Sequence, residues 1–109
     1  MSIVTLKKGD TFPPMRAQLL WEDETPVSLT NVSSVIFKMK EIGSNNLKVN
    51  GTCSIVDATN GIVEYSWQSG DTDTPGFYYR EFEVHYNDGK VMTVPNFKLE
   101  YIWIIDDIG

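Results

Sequence analysis

Gly70-Asp71-Thr72-Asp73-Thr74-Pro75-Gly76 runs directly into Phe77-Tyr78-Tyr79-Arg80-Glu81-Phe82-Glu83-Val84-His85-Tyr86. The opening segment is built to bend a backbone, because Pro75 fixes its own φ, Gly76 accepts positive φ, and the Asp and Thr side chains bond nearby amides. In the segment that follows, Tyr78, Phe82, Val84 and Tyr86 share one face at period two, while Tyr79, Glu81, Glu83 and His85 share the other. That alternation predicts a half-buried strand entering a β-sandwich.

Strand signals of the same kind extend on both sides. N-terminally they fall at Ile3–Lys7, at Arg16–Glu22 with Ala17, Leu19 and Trp21 on one face, and at the stretch where Val35, Phe37 and Met39 alternate with Ser34, Lys38 and Lys40. Between them, Val27–Asn31 reads as a corner in which Leu29 plugs the end of the core. Leu47–Val56 reads as a strand or broken pair interrupted at Asn50-Gly51, with Cys53 and Ile55 inward. Asn60-Gly61 predicts a type I′ hairpin, since both residues tolerate positive φ, and leads into a strand with Val63, Tyr65 and Trp67 on its inner face. Asn87-Asp88-Gly89 joins Phe77–Tyr86 to Lys90–Val94, Pro95 ends that ladder by removing a donor, and Phe97–Ile105 is the last strand. About eight short strands with no helical periodicity predict an all-β, immunoglobulin-like antiparallel β-sandwich.

The 109 residues suffice for one hydrophobic core, so the expectation is a single domain over 1–109. Nine basic residues scattered among fifteen acidic ones, a net charge of −6, disfavour nucleic acid and anionic membrane as partners. Met1–Lys8 has no long apolar core of a signal peptide, and no run of residues is apolar enough to span a bilayer, so synthesis in the cytoplasm is expected. Cys53 is the lone cysteine; it forms no intrachain disulfide and reads as a small core residue.

Six signals in order carry a family resemblance: Gly9-Asp10-Thr11-Phe12-Pro13-Pro14, Leu29-Thr30, Val35–Lys40, Asn60–Trp67, the Gly70–Tyr78 run and Glu81-Phe82-Glu83-Val84. Together they resemble the N-terminal immunoglobulin-like domain of phage baseplate upper proteins, across nearly the whole chain. The resemblance implies a non-catalytic structural module of the virion, most readily a tail or baseplate assembly or attachment component. Other phage virion proteins and repeated copies of the chain are the implied partners, and the chain would be synthesised in the host cytoplasm. Two alternatives stand beside it: a capsid decoration or head-fibre protein, and a host-surface carbohydrate-binding module. The last requires Trp21, Trp67 or Trp103 to be exposed beside polar groups, and the phase of each indole predicts burial instead. Arg80 sits at an inward position where the family carries a small residue, so its stem should pack while its guanidinium reaches a carboxylate or the rim.

No catalytic constellation, cofactor or metal site is expected. His85, the one histidine, lies on the polar phase of its strand without a nucleophile spaced to meet it. Cys53 and His85 lack metal-ligand spacing. Asp71, Asp73 and Asp88 carry the oxygens calcium takes, but without a bidentate Glu at fixed spacing they read as caps of the local backbone. Structural roles are expected for Gly76, Trp67, Phe82 and Tyr78, the last bonding its hydroxyl to an upstream backbone group as a tyrosine corner does. In the last strand Phe97, Leu99, Tyr101, Trp103 and Ile105 read as the inner face, which leaves Ile102 and Ile104 as an apolar outer face. Tyr101, Ile102, Trp103 and Ile104 are therefore the candidate interface with another subunit or virion protein, the alternative being that a loop or the N-terminal strand covers them.

Overall fold

The computed structural model describes residues 3–108. It contains nine strands and, among the described residues, no helix: β1 Ile3–Lys7, β2 Met15–Gln18, β3 Val32–Glu41, β4 Leu47–Thr52, β5 Ser54–Asp57, β6 Ile62–Tyr65, β7 Gly76–Tyr86, β8 Val91–Val94 and β9 Glu100–Ile105. A six-stranded sheet runs β1-β9-β7-β3-β4, with β8 also on β7; a three-stranded sheet runs β2-β6-β5. The long β7 is central to the larger sheet. One of its edges pairs with β3 throughout, while the other takes β9 along Gly76–Arg80 and then β8 along Phe82–His85. All pairs are antiparallel except β1 with β9, which run parallel, a departure from the wholly antiparallel expectation. A strand at the N-terminal edge can pair parallel here because the rest of the chain separates it from β9, which supplies the long crossover that parallel neighbours require.

The inner faces meet in one buried cluster. Phe37 on β3 lies 4.9 Å from Tyr65 and 5.6 Å from Phe82 between ring centroids, and Trp67 meets both Phe37 and Tyr65 edge-on. Val35, Met39, Tyr78, Val84, Val63 and Leu29 complete the interior as the alternation predicts. Leu29 is held at its corner by donating its amide to Ala58 O, 2.8 Å. The chain changes sheets at Cys53, which donates its amide to Val35 O and is buried between β4 and β5. Burial pushes the Cys53 thiol up to about 11.

Four local expectations change. β4 runs unbroken through Asn50-Gly51; Gly51 is needed there because an added Cβ would lie 2.6 Å from the Tyr65 ring. Only Gly61 of the Asn60-Gly61 pair has positive φ, and the amide of Gly61 reaches Ala58 O, so residues 58–61 form a four-residue turn with one left-handed glycine. β2 stops at Gln18, because the chain doubles back through a Leu20–Pro26 bridge, and Trp21 leaves the inward phase to stand 40% exposed. The fourth concerns β9, whose faces are the reverse of those expected. Ile102 and Ile104 are fully buried, whereas Tyr101 and Trp103 point outward. Register with β7 decides this: Ile102 sits opposite buried Tyr78 and Trp103 opposite exposed Phe77.

Gly61 has φ +69° and an added Cβ would lie 2.6 Å from Val27 O and 2.8 Å from Leu19 O. Gly61→Ala should therefore cost about 3 kcal/mol or more in urea unfolding. Gly43→Ala, at φ +94° with nothing within 4 Å of the new Cβ, should cost about 1–2 kcal/mol; equal losses would show that the backbone around Gly61 relaxes freely. Cys53 should remain unreactive toward an aromatic disulfide reagent near neutral pH in the folded protein and react at once in denaturant, since its buried thiol is not ionised.

Candidate interaction surface

The Gly70–Gly76 loop is held by the side chains that the sequence places in it. Asp71 accepts from Tyr65 Oη at 2.7 Å and from the Gln68 amide at 2.8 Å, and Asp73 pairs with Lys48 and Thr74. Burial first, and then the Asp71 carboxylate, push the Tyr65 hydroxyl pKa upward. Thr72, itself buried, donates to Asp10 O at 2.8 Å and ties this loop to the turn after β1. Tyr78 Oη donates to Thr74 O at 2.6 Å, so the ring that fills the core also closes the loop that precedes it. Gly76, with φ +147°, makes the bend into β7. Both loop carboxylates are thus engaged in backbone and side-chain bonds, and among the described residues no three His, Cys, Asp or Glu side chains converge as a metal cluster.

His85 lies on the outer face of β7, its Nε2 2.7 Å from Glu83 Oε1, while Lys38 Nζ stands 2.8 Å from the other Glu83 oxygen. Hydrogen bonds from Lys38 and His85 hold the Glu83 carboxyl below its ordinary range. The arrangement is a cross-strand ion pair with a histidine at its end; no hydroxyl or thiol among the described residues bonds the imidazole.

Beyond this polar end, the outer face of the six-stranded sheet is aromatic. Cross-strand registers set Ile3, Tyr101, Tyr79, Lys40 and Leu47 in one row across β1, β9, β7, β3 and β4. The adjoining row sets Thr5, Trp103 and Phe77 side by side. Trp103 and Phe77 stack at 5.3 Å with planes 10° apart yet remain 39% and 49% exposed, and Tyr79 and Tyr101 meet at 5.7 Å. A half-exposed aromatic strip of this extent is a surface whose burial by a partner is favourable. Of the four residues expected at an interface, the fold places Tyr101 and Trp103 on this face and takes Ile102 and Ile104 into the core. Phe77 and Tyr79 complete the strip. Their signal in the sequence is alternation with inward Tyr78 and Arg80, and it is masked because Glu81, Glu83 and His85 make the same phase of β7 polar further along. Trp67 and Phe82 lie in the aromatic core.

Of the comparisons with known proteins, the family model described as the BppU N-terminal domain matches residues 3–101. No curated protein matches the chain. Among solved structures, the crystal structure of CopC from Methylosinus trichosporium OB3b is similar with a TM-score of 0.58 at 9% identity, covering 100% of this chain and 89% of that one. At that identity the likeness is one of fold, an all-β architecture on a different sequence.

The reversed faces of β9 can be measured. Ile102→Thr or Ile104→Thr should destabilise the fold by about 2–4 kcal/mol, since each puts a hydroxyl into a site with no solvent. Trp103→Thr should cost only about 1 kcal/mol, its ring being half wet and stacked on one neighbour. Thermal melts showing the opposite order would return Trp103 to the core.

Proposed function

Since the chain belongs to the BppU N-terminal domain family of phage baseplate upper proteins, we propose that it is a non-catalytic assembly module that docks other virion proteins through the outer face of its six-stranded sheet. The family makes it a structural component of a phage baseplate, associated with other virion proteins. The sheet face supplies the means of association. The observation that carries this is the stacked Phe77–Trp103 pair beside Tyr79–Tyr101, an aromatic strip on a sheet made stiff by pairing along both edges of β7.

A docking module works by shape. Side chains at the strip are placed by strand register and not by loops, so each copy offers the same contacts to its neighbour at little cost in ordering. Rigid aromatic side chains at the centre of an interface carry a large share of binding energy, and the Lys38–Glu83 pair at one end gives a polar rim. Repeated copies in the particle and synthesis in the host cytoplasm belong to the same reading, and partners that are proteins, not nucleic acid or membrane, fit a net charge of −6.

Electron microscopy of particles carrying a labelled copy of the full chain tests the place, and a substitution tests the face. Label should lie on the baseplate; label on the head would favour a capsid decoration role and overturn the reading. Tyr101→Glu with Trp103→Glu should lower incorporation about tenfold or more while the isolated protein keeps its cooperative melt. Unchanged incorporation would remove this face as the docking surface.

A further inference from the structure

The sandwich has a second feature that docking through the sheet face does not use. Where β2 ends and the chain turns back through residues 19–26, a groove of about 300 Å³ opens between that turn and the segment 94–100. Its floor is core, formed by Leu19, Phe82 and Val94. Trp21 and Phe97 stand on its walls, 40% and 37% exposed. Trp67 and Trp103 each pack against another ring, whereas Trp21 has no aromatic neighbour among the described residues. The backbone of Trp21 is fixed by bonds with Thr25 O and the Glu24 amide, and Asp23 secures the turn by accepting from both the amide and the hydroxyl of Thr25.

Arg80 supplies the polar element of the groove. Its side chain is more than nine-tenths buried and lines the same groove. Of its five N–H donors, Nε and Nη2 each give one to Glu100 Oε1, at 3.2 and 2.9 Å. Nη1 finds Met15 Sδ at 3.6 Å, a weak acceptor, and no further oxygen partner for this group is present among the described residues. A buried guanidinium with donors left over is costly unless something accepts from them. Glu100 already balances its charge, so a neutral oxygen in the groove is the acceptor that suits the donors it leaves over. Four carboxylates line the groove, Glu22, Asp23, Glu24 and Glu100, against the two cations Arg80 and Lys98, so its lining is net negative and disfavours anions, while carboxylates accept hydrogen bonds from hydroxyls.

We propose that this groove binds a neutral pyranose saccharide, its C–H face laid on Trp21 and its hydroxyls bonded by Arg80 and the surrounding carboxylates. A sugar ring unites in one small body what the site asks for: an apolar face, hydroxyl oxygens that accept, and hydroxyl protons that donate. A groove of this size falls at the small end of ligand sites, suited to one or two rings. An extended peptide offers oxygens and N–H groups as well, but no cluster of hydroxyl donors on one small ring for the groove's carboxylates and no flat C–H face of ring size. The groove is separate from the docking face, since Phe77, Tyr79, Tyr101 and Trp103 do not line it.

The test is a glycan array of neutral, amino and sialylated oligosaccharides probed with the full chain, followed by saturation-transfer NMR on the best neutral glycan. Neutral glycans should bind and sialylated ones should not. Trp21→Ala should weaken binding about tenfold or more, Trp21→Phe should restore part of it, and Trp103→Ala should leave it unchanged. A melt of Trp21→Ala matching that of the parent protein shows that the loss lies in the site. No neutral glycan above background, a preference for sialylated glycans, binding undiminished in Trp21→Ala, or capture of an oligoproline peptide in place of glycans would each overturn the proposal.

Discussion

The register between β7 and its three neighbours governs most of this molecule. β7 is bonded to β3 along one edge and to β9 and then β8 along the other, so its two-residue pleat is imposed on three strands at once. Every side chain paired with β7 is inner or outer according to what stands opposite it there. Tyr78, Arg80, Phe82 and Val84 face inward, and with them Ile102, Met39, Phe37 and Val35. A slip of one residue would exchange the aromatic core for the aromatic surface strip, and the cost of wetting Phe37, Phe82 and Ile102 forbids it.

The same register explains how an ion pair lies inside the sandwich. Arg80 shares the inner face with Tyr78 and Phe82, and its guanidinium lies 5.3 Å from the Phe82 ring centre. Its position opposite Glu100 brings a carboxylate to it at the point where β9 begins. A buried cation tolerated in this way needs its partner, and both members of the pair line the groove. Structure and surface chemistry meet at that residue, because the pairing that keeps Arg80 in the interior leaves part of its donor capacity facing the groove.

The two surfaces differ in kind. The strip of Phe77, Trp103, Tyr79 and Tyr101 is broad and made by strands, which suits a flat protein partner. The groove beside Trp21 is narrow and made by a turn and a loop, which suits a small ligand. The Gly70–Gly76 loop belongs to neither. Through Tyr65, Tyr78, Lys48 and Asp10 its acidic residues and threonines stitch the two sheets and the first turn together.

Amino-acid order alone carried the fold class, the positions of nearly all strands, the inward faces of β3, β6 and β7, the corner at Leu29, and the family, because alternation and turn residues are local properties that the backbone reads directly. It also marked Tyr101 and Trp103, as members of an apolar segment and not as an outer face. The phase of β9 was not legible, since Tyr101–Ile105 is apolar on both faces and periodicity cannot choose between them; pairing with β7 chose. Trp21 likewise alternates correctly with Ala17 and Leu19 up to the point where a bridge between Leu20 and Pro26 turns the chain away, a contact local pattern does not contain. Tertiary structure alone brought Arg80 to Glu100 and Phe77 to Trp103, because residues so far apart along the chain meet only when burial of the core as a whole has set strand order and register.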